Sequence, residues 1–279
     1  MWEKKDKQCD SSDPADADQG SYWDHVIIDP ESKLIISLVV GRRNADTVVQ
    51  VFTDFFDRTD GALPELITTD GYQVYEPVIL DTYGVWWRDE MGLTAEEVKE
   101  FEQAEMPEFY FPVEITYAKV VKERAGGRVV SVRHEVVLGS EEQAEEVLAE
   151  SACSQTLNTS FVERWFGTQR QFNARKRRKS YTFSKELSYH EACTWLVVLW
   201  YNFGWCVRTL RQKVQTTPPR YEQRTPAMAA GLTDHAWSME DLLRCPLYPP
   251  KEEPRKGSAR TYAEVLERLK GVYLGGAAA

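Results

Sequence analysis

Trp23–Arg43 reads WDHVIIDPESKLIISLVVGRR. Two runs of β-branched and apolar residues, Trp23–Ile28 and Leu34–Val40, flank Asp-Pro-Glu-Ser-Lys, where Pro30 fixes φ at a turn position. The stretch therefore predicts a β-hairpin. Its runs are nearly continuous in apolar residues, which predicts strands inside a sheet covered on both faces. Asn44 or Asp46 next caps a helix through Phe56, whose stripe is Val48, Val49, Val51, Phe52, Phe55 and Phe56. After the turn Asp60-Gly61, Leu66–Thr69 reads as a short buried strand that ends on Asp70-Gly71 and leads into a helix over Tyr72–Tyr83. The class is mixed α/β. A carboxylate at the carboxyl end of a strand, followed by Gly and a helix, stands where open α/β sheets place ligands. The same Asp-Gly also serves as an ordinary turn or helix cap.

Between Val85 and Thr156 the pattern changes. An acidic helix (Thr94–Ala104) and a Pro-flanked aromatic patch (Met106–Pro112) precede two alternating strands, Ile115–Arg124 and Arg128–Leu138. Ala-Gly-Gly joins those strands, a turn suited to positive φ. A second acidic helix, Glu141–Glu150, leads to Asn158–Lys185, NTSFVERWFGTQRQFNARKRRKSYTFSK. That segment carries one carboxylate, Glu163, among Arg164, Arg170, Arg175, Lys176, Arg177, Arg178 and Lys179. Thr159 or Ser160 caps a helix expected to run from Phe161 to about Arg177, on which Glu163 and Arg170 share a face. A lone carboxylate on an Arg-lined helix is what a metal-dependent site acting on a phosphodiester backbone needs. A solvated basic helix with an adjacent charge pair is the plainer alternative.

Composition narrows the classes. With 279 residues and 42% hydrophobic content the chain buries a substantial core, and its net charge of −10 makes the basic segment a local reversal of sign. No apolar run reaches roughly eighteen residues and the N-terminus has no hydrophobic signal region, so neither a membrane span nor secretion is expected and a cytoplasmic location is. The five cysteines are scattered with no Cys-x-x-Cys pair, and are expected as reduced, mostly buried thiols. The four His match no zinc spacing. Asp10, Asp13, Asp16 and Asp18 resemble a calcium loop only superficially, and residues 3–22 read as a flexible surface loop. Trp195–Trp205 reads as part of a buried aromatic helix (His190–Phe203), with base stacking as the alternative. Arg208–Arg224 reads as a basic loop, Thr225-Pro226 starts a last short helix closed by Gly231, and a Pro-rich link (246–254) precedes an amphipathic helix at Tyr262–Tyr273. The expected organisation is a polar segment 1–22, a core 23–245 with an insertion at about 85–156, and a tail 246–279.

Read together, WDHVIIDPESKLIISLVVGRR, TTDGYQVYEPVIL and NTSFVERWFGTQRQFNARKRRKSYTFSK, followed by YNFGWCVRTLR and RTPAMAAGLTDHAW, resemble the catalytic half of bacterial insertion-sequence transposases of the insertion-sequence-one type. The resemblance implies a ribonuclease H-like mixed sheet flanked by helices, with an acidic triad of two Asp and one Glu. Matched motif to motif, Asp70 is the second acid, Glu163 the third, and Arg170 the basic residue one face along. It also implies Mg²⁺ or Mn²⁺, two ions, held by Asp70 and Glu163. The implied partners are DNA, as transposon ends and target, and further copies of the chain in the active state. A bacterial cytoplasmic location, at the nucleoid when DNA is bound, is implied too. Arg164, Arg170, Arg175, Lys176, Arg178 and Lys179 would hold the backbone, positioning the duplex without reading its sequence.

The family's first acid lies in an Asp-Glu-x-Trp string upstream of this hairpin, and the chain from Met1-Trp2 holds at most its tail. Asp29, in the hairpin turn, and Asp24 are weak substitutes. Three readings follow: a transposase whose triad is completed outside this sequence, an inactive remnant that binds DNA or a full-length partner, and a structural α/β domain whose basic helix meets an acidic protein.

Overall fold

The computed structural model describes residues 9, 20–83, 85–86, 109–110, 115–177, 181–182, 184–215 and 220–244. The chain divides into two compact units, Met1–Arg43 with Ser160–Ser258 and Asn44–Thr159 with Ala259–Ala279.

In the first unit, β1 (Trp23–Ile28) and β2 (Ile35–Gly41) form the expected antiparallel hairpin, in register from Trp23↔Gly41 to Ile27↔Ser37. Asp29 builds its turn: the carboxylate accepts from the amides of Glu31 at 3.1 Å and Ser32 at 3.0 Å, and Lys33 takes a positive φ of 63°. Ser37 and Leu38, which point to opposite faces of β2, are both buried, so at this point both faces are covered as expected. Ile35, Leu38 and Val40 pack with Trp165, Val198 and Tyr201 in one core cluster, and the Trp165 and Tyr201 rings lie 4.7 Å apart.

Those partners come from two helices, Ser160–Phe172 and Leu187–Leu199, the second continued by a π-helical turn over Trp200–Gly204. The wide turn brings Asn202 against β2, where its side-chain amide accepts from Ile35 N at 3.0 Å and donates to Ile35 O at 2.9 Å. Gly204 is required there, since a Cβ would lie 2.4 Å from the Trp200 ring. The aromatic helix is less buried than its composition suggests: Tyr189, Leu196 and Leu199 are exposed. The expected basic loop contains a small hairpin, Gln212–Val214 with Arg220–Glu222. Thr225 caps the short helix Pro226–Ala229 as expected, but a further helix, Met239–Arg244, follows it.

In the second unit, Asn44 rather than Asp46 caps α1 (Ala45–Arg58), accepting from Thr47 N at 3.2 Å. The buried stripe is Val48, Val49, Val51, Phe52 and Phe55. β3 (Leu66–Asp70) runs parallel to β6 (Thr116–Ala125), from Leu66↔Thr116 to Asp70↔Val120, and α2 (Tyr75–Tyr83) lies in the connection that parallel strands require. The connection also holds the short antiparallel pair β4 (Val85–Trp86) and β5 (Phe109–Tyr110). β7 (Arg128–Leu138) turns back antiparallel to β6 around Gly126 and Gly127, whose φ values of 58° and 78° suit the tight turn read from the sequence. α3 (Glu141–Glu150) starts on a capping box of Ser140 and Gln143.

The result is a mixed α/β protein with a three-stranded mixed sheet in the order β3-β6-β7. A ribonuclease H-like core implies one sheet shared by Trp23–Ile28, Leu34–Val40 and Leu66–Thr69, but among the described strands β1 pairs with β2 and β3 with β6. Sequence pattern marks strands but not their partners, and the segment expected as an insertion supplies the middle strand. The four described cysteines are half-buried, not buried. The expected elements Thr94–Ala104 and Tyr262–Tyr273, the patch Met106–Pro112 apart from Phe109 and Tyr110 of β5, the link 246–254 and most of residues 1–22 lie outside the described residues. Among the described residues no helix is long and apolar enough to cross a membrane.

Candidate functional site

Asp70 is the last residue of β3 and is exposed. Its Oδ1 accepts from Tyr72 N at 3.0 Å, an Asx turn that swings the chain from strand to α2. The turn reading and the ligand reading of Asp70 are compatible, because a turn bond to one oxygen leaves the carboxylate at the surface. Below it, Thr69 Oγ1 lies 2.9 Å from the Tyr117 hydroxyl, and burial pushes the Tyr117 phenol up to about 12. Lys119 from β6 pairs with Glu76 of α2 at 2.8 Å and Glu135 of β7 at 3.4 Å.

Glu163 and Arg164 are exposed on α4, the helix Ser160–Phe172, with Glu163 in the first turn, where unsatisfied amides and the helix dipole favour a carboxylate. The inward face holds Trp165 and Gln169, four residues apart and nearly fully buried. Outward, Glu163, Gly167 and Arg170 fall along one side, Arg170 half-buried. A Cβ on Gly167 would meet no heavy atom within 4 Å, so the ground between the carboxylate and the guanidinium is open.

The helix is shorter than expected. It stops at Phe172, and Asn173 breaks it by accepting with its own side chain from Arg175 N at 3.0 Å, starting a 3₁₀ turn over Ala174–Lys176. The basic residues beyond Arg170 therefore do not continue the helical face. Arg175 is exposed, with Nη1 donating to Ser184 Oγ at 3.5 Å. Arg178 and Lys179 lie outside the described residues.

Lys176 goes elsewhere. Its Nζ lies 2.6 Å and 2.5 Å from the two carboxylate oxygens of Asp24 on β1, and the two side chains are 8% and 11% exposed. With the Gln169 amide oriented to match its neighbours, its nitrogen donates to Asp24 Oδ2 at 2.9 Å and its oxygen accepts from Lys176 Nζ at 3.1 Å. Burial pulls the Lys176 ammonium below the usual lysine value, against the opposing effect of Asp24. Nearby His190 accepts from or donates to Ser184 Oγ at 3.2 Å, and burial, with Lys176 beside it, pushes its imidazole down to about 4. Sequence reasoning missed this polar cluster. The available signal was Gln169, a polar residue on the buried stripe of its helix one turn from Trp165.

Asp24 and Asp29 are thus both committed, one to an ion pair and one to a turn. Asp70 belongs to the second unit and Glu163 to the first. Among the described residues no group of three or more His, Cys, Asp or Glu is placed to hold a metal ion. No family model matches the chain, and neither the curated proteins nor the solved structures gave a match.

Proposed function

We propose that the chain is the catalytic region of a DDE-type transposase with a ribonuclease H-like core, acting on the backbone of DNA. The observation that carries this reading is the outer face of α4, where exposed Glu163 and Arg164 are followed by open ground at Gly167 and by Arg170. A phosphodiester backbone is an anion with oxygen donors, and Arg recognises phosphate through charge-assisted, often bidentate hydrogen bonds. Exposed Arg175 extends the same cationic chemistry past the helix end. In the second unit Asp70 offers the other surface carboxylate of the motif match. Mg²⁺ or Mn²⁺ belongs to this proposal, since hard cations take oxygen ligands, with Asp70 and Glu163 as two of them.

The commitment of Asp24 to Lys176 and Gln169 removes it as a stand-in for the first acid, and Asp29 serves its own turn. The triad of this proposal therefore draws its first Asp from elsewhere. That favours a second version, in which these 279 residues bind DNA without cutting it efficiently.

The test is duplex binding titrated across salt, then nicking of supercoiled DNA with Mg²⁺ or Mn²⁺. Nicking that is lost in Asp70→Asn and Glu163→Gln supports the first version. Salt-steep binding without nicking supports the second. No binding, or binding indifferent to salt, overturns both and leaves a structural domain whose cations meet an acidic protein.

A further inference from the structure

Among the described strands, the sheet of the second unit ends on one whose sequence complements itself. In the order β3-β6-β7, β6 is the hydrogen-bonded neighbour of β7 among the described strands, leaving an outer edge. From Arg128 to Glu135 every residue of β7 is exposed, and Val130 and Val132 are 62% and 52% exposed. A long edge with outward β-branched side chains is a template for another strand unless its charges select what pairs there. Between two irregularities in its pairing with β6, the strand is regular from Ser131 to Val136.

Two copies of this stretch pair antiparallel about a twofold axis only when opposed residues are an even number of positions apart, because outward-facing backbone groups alternate. Centring the pair on Arg133 or on Glu135 puts like charges face to face, which destabilises. Centring it on Ser131 or Val132 opposes Arg133 to Val129 or to Ser131. Centring it on His134 opposes Arg133 of each copy to Glu135 of the other and Val132 to Val136, each contact occurring twice. Glu135 also meets Lys119 on its own sheet at 3.4 Å, and a carboxylate accepts several donors.

We propose that β7 docks antiparallel onto β7 of a second copy of this chain, in the register centred on His134, so that two three-stranded sheets become one. This interface rests on the β7 edge alone and stands whether or not the chain binds DNA.

Light scattering of the full chain on a sizing column should show a concentration-dependent dimer. Arg133→Glu, which leaves the Lys119–Glu135 contact in place, opposes two carboxylates twice and should weaken the dimer about tenfold. The double change Arg133→Glu, Glu135→Arg should restore it. Residues opposed on antiparallel strands have Cα atoms about 4.5–5.5 Å apart, within disulfide reach. Oxidised His134→Cys should therefore give a dimer whose linked peptide maps to position 134, whereas Val130→Cys, far from its own copy in this register, should not. The cysteine pair decides the matter even where a charge variant folds poorly, and a thermal melt identifies that case. A monomer at every concentration, a dimer with no link at position 134, or open-ended aggregates in place of a dimer would overturn the proposal.

Discussion

Lys176 Nζ sits between the two carboxylate oxygens of Asp24, 152 residues away in sequence, and Gln169 closes the group from α4. The cation next to the helix end is therefore a clasp between the 3₁₀ turn and the first strand. Removing one partner of a buried pair strands the other charge, at a cost of about 3–5 kcal/mol. Lys176→Met should lower the denaturation midpoint steeply, and Asp24→Asn combined with it should recover part of the loss. A variant Lys176→Met as stable as the parent would make the pair a surface contact.

The exposed arginines should behave in the opposite way. Arg164→Ala and Arg175→Ala should each flatten the slope of log affinity against log salt on duplex DNA by roughly 0.9 while leaving the melt within about 0.5 kcal/mol. Loss of stability without change of slope in these two variants would assign them to the fold and not to a phosphate backbone.

Asp70 allows its two roles to be separated. Asp70→Asn keeps an oxygen for the Tyr72 amide and should leave stability nearly unchanged, whereas Asp70→Ala drops the turn bond and should cost about 1 kcal/mol. If the charge matters to DNA cleavage, both lose it equally. Cleavage retained in Asp70→Asn would confine the residue to its turn.

His190 gives the first unit a pH dependence of definite sign. Its folded value, pushed down to about 4 by burial and by Lys176, lies below the ordinary 6.5 of the unfolded chain. The unfolded state then binds more protons between those values, so this contribution is present above about pH 6.5 and is lost as pH falls toward 4. His190→Gln should make unfolding free energy less sensitive to pH over that window. An unchanged slope in the variant would move the acid sensitivity to other groups.

The hairpin of Trp23–Ile28 with Ile35–Gly41, the Gly126-Gly127 turn and the Thr225 cap were all legible, because each rests on contacts within a few residues: β-branched runs, φ > 0 and a polar cap. The limits of α3 were legible to the residue for the same reason. What the sequence did not show depends on distant partners. Nothing local in Leu66–Asp70 says that Thr116–Val120 will lie beside it, and nothing in ARKRRK says that Lys176 turns inward to Asp24. At Asn173 the propensity reading failed for a physical reason, since a short amide side chain competes with the backbone for the next turn's donors.

The π-helical turn at Trp200–Gly204 has a consequence in helical phase. Its closing bond, Trp205 N to Trp200 O at 2.8 Å, spans five residues where an α-helix spans four, so it holds one residue more than an α-helical turn. That surplus residue sets the azimuth at which Asn202 leaves the helix and meets Ile35, and with it the alignment of Trp205 and everything after it. A one-residue deletion here would rewind the segment into ordinary α-helix and rotate the downstream chain by about 100°, the angle of one α-helical step. The Asn202 amide would then face away from the backbone groups of Ile35 that it now satisfies, leaving a buried N–H and C=O without partners.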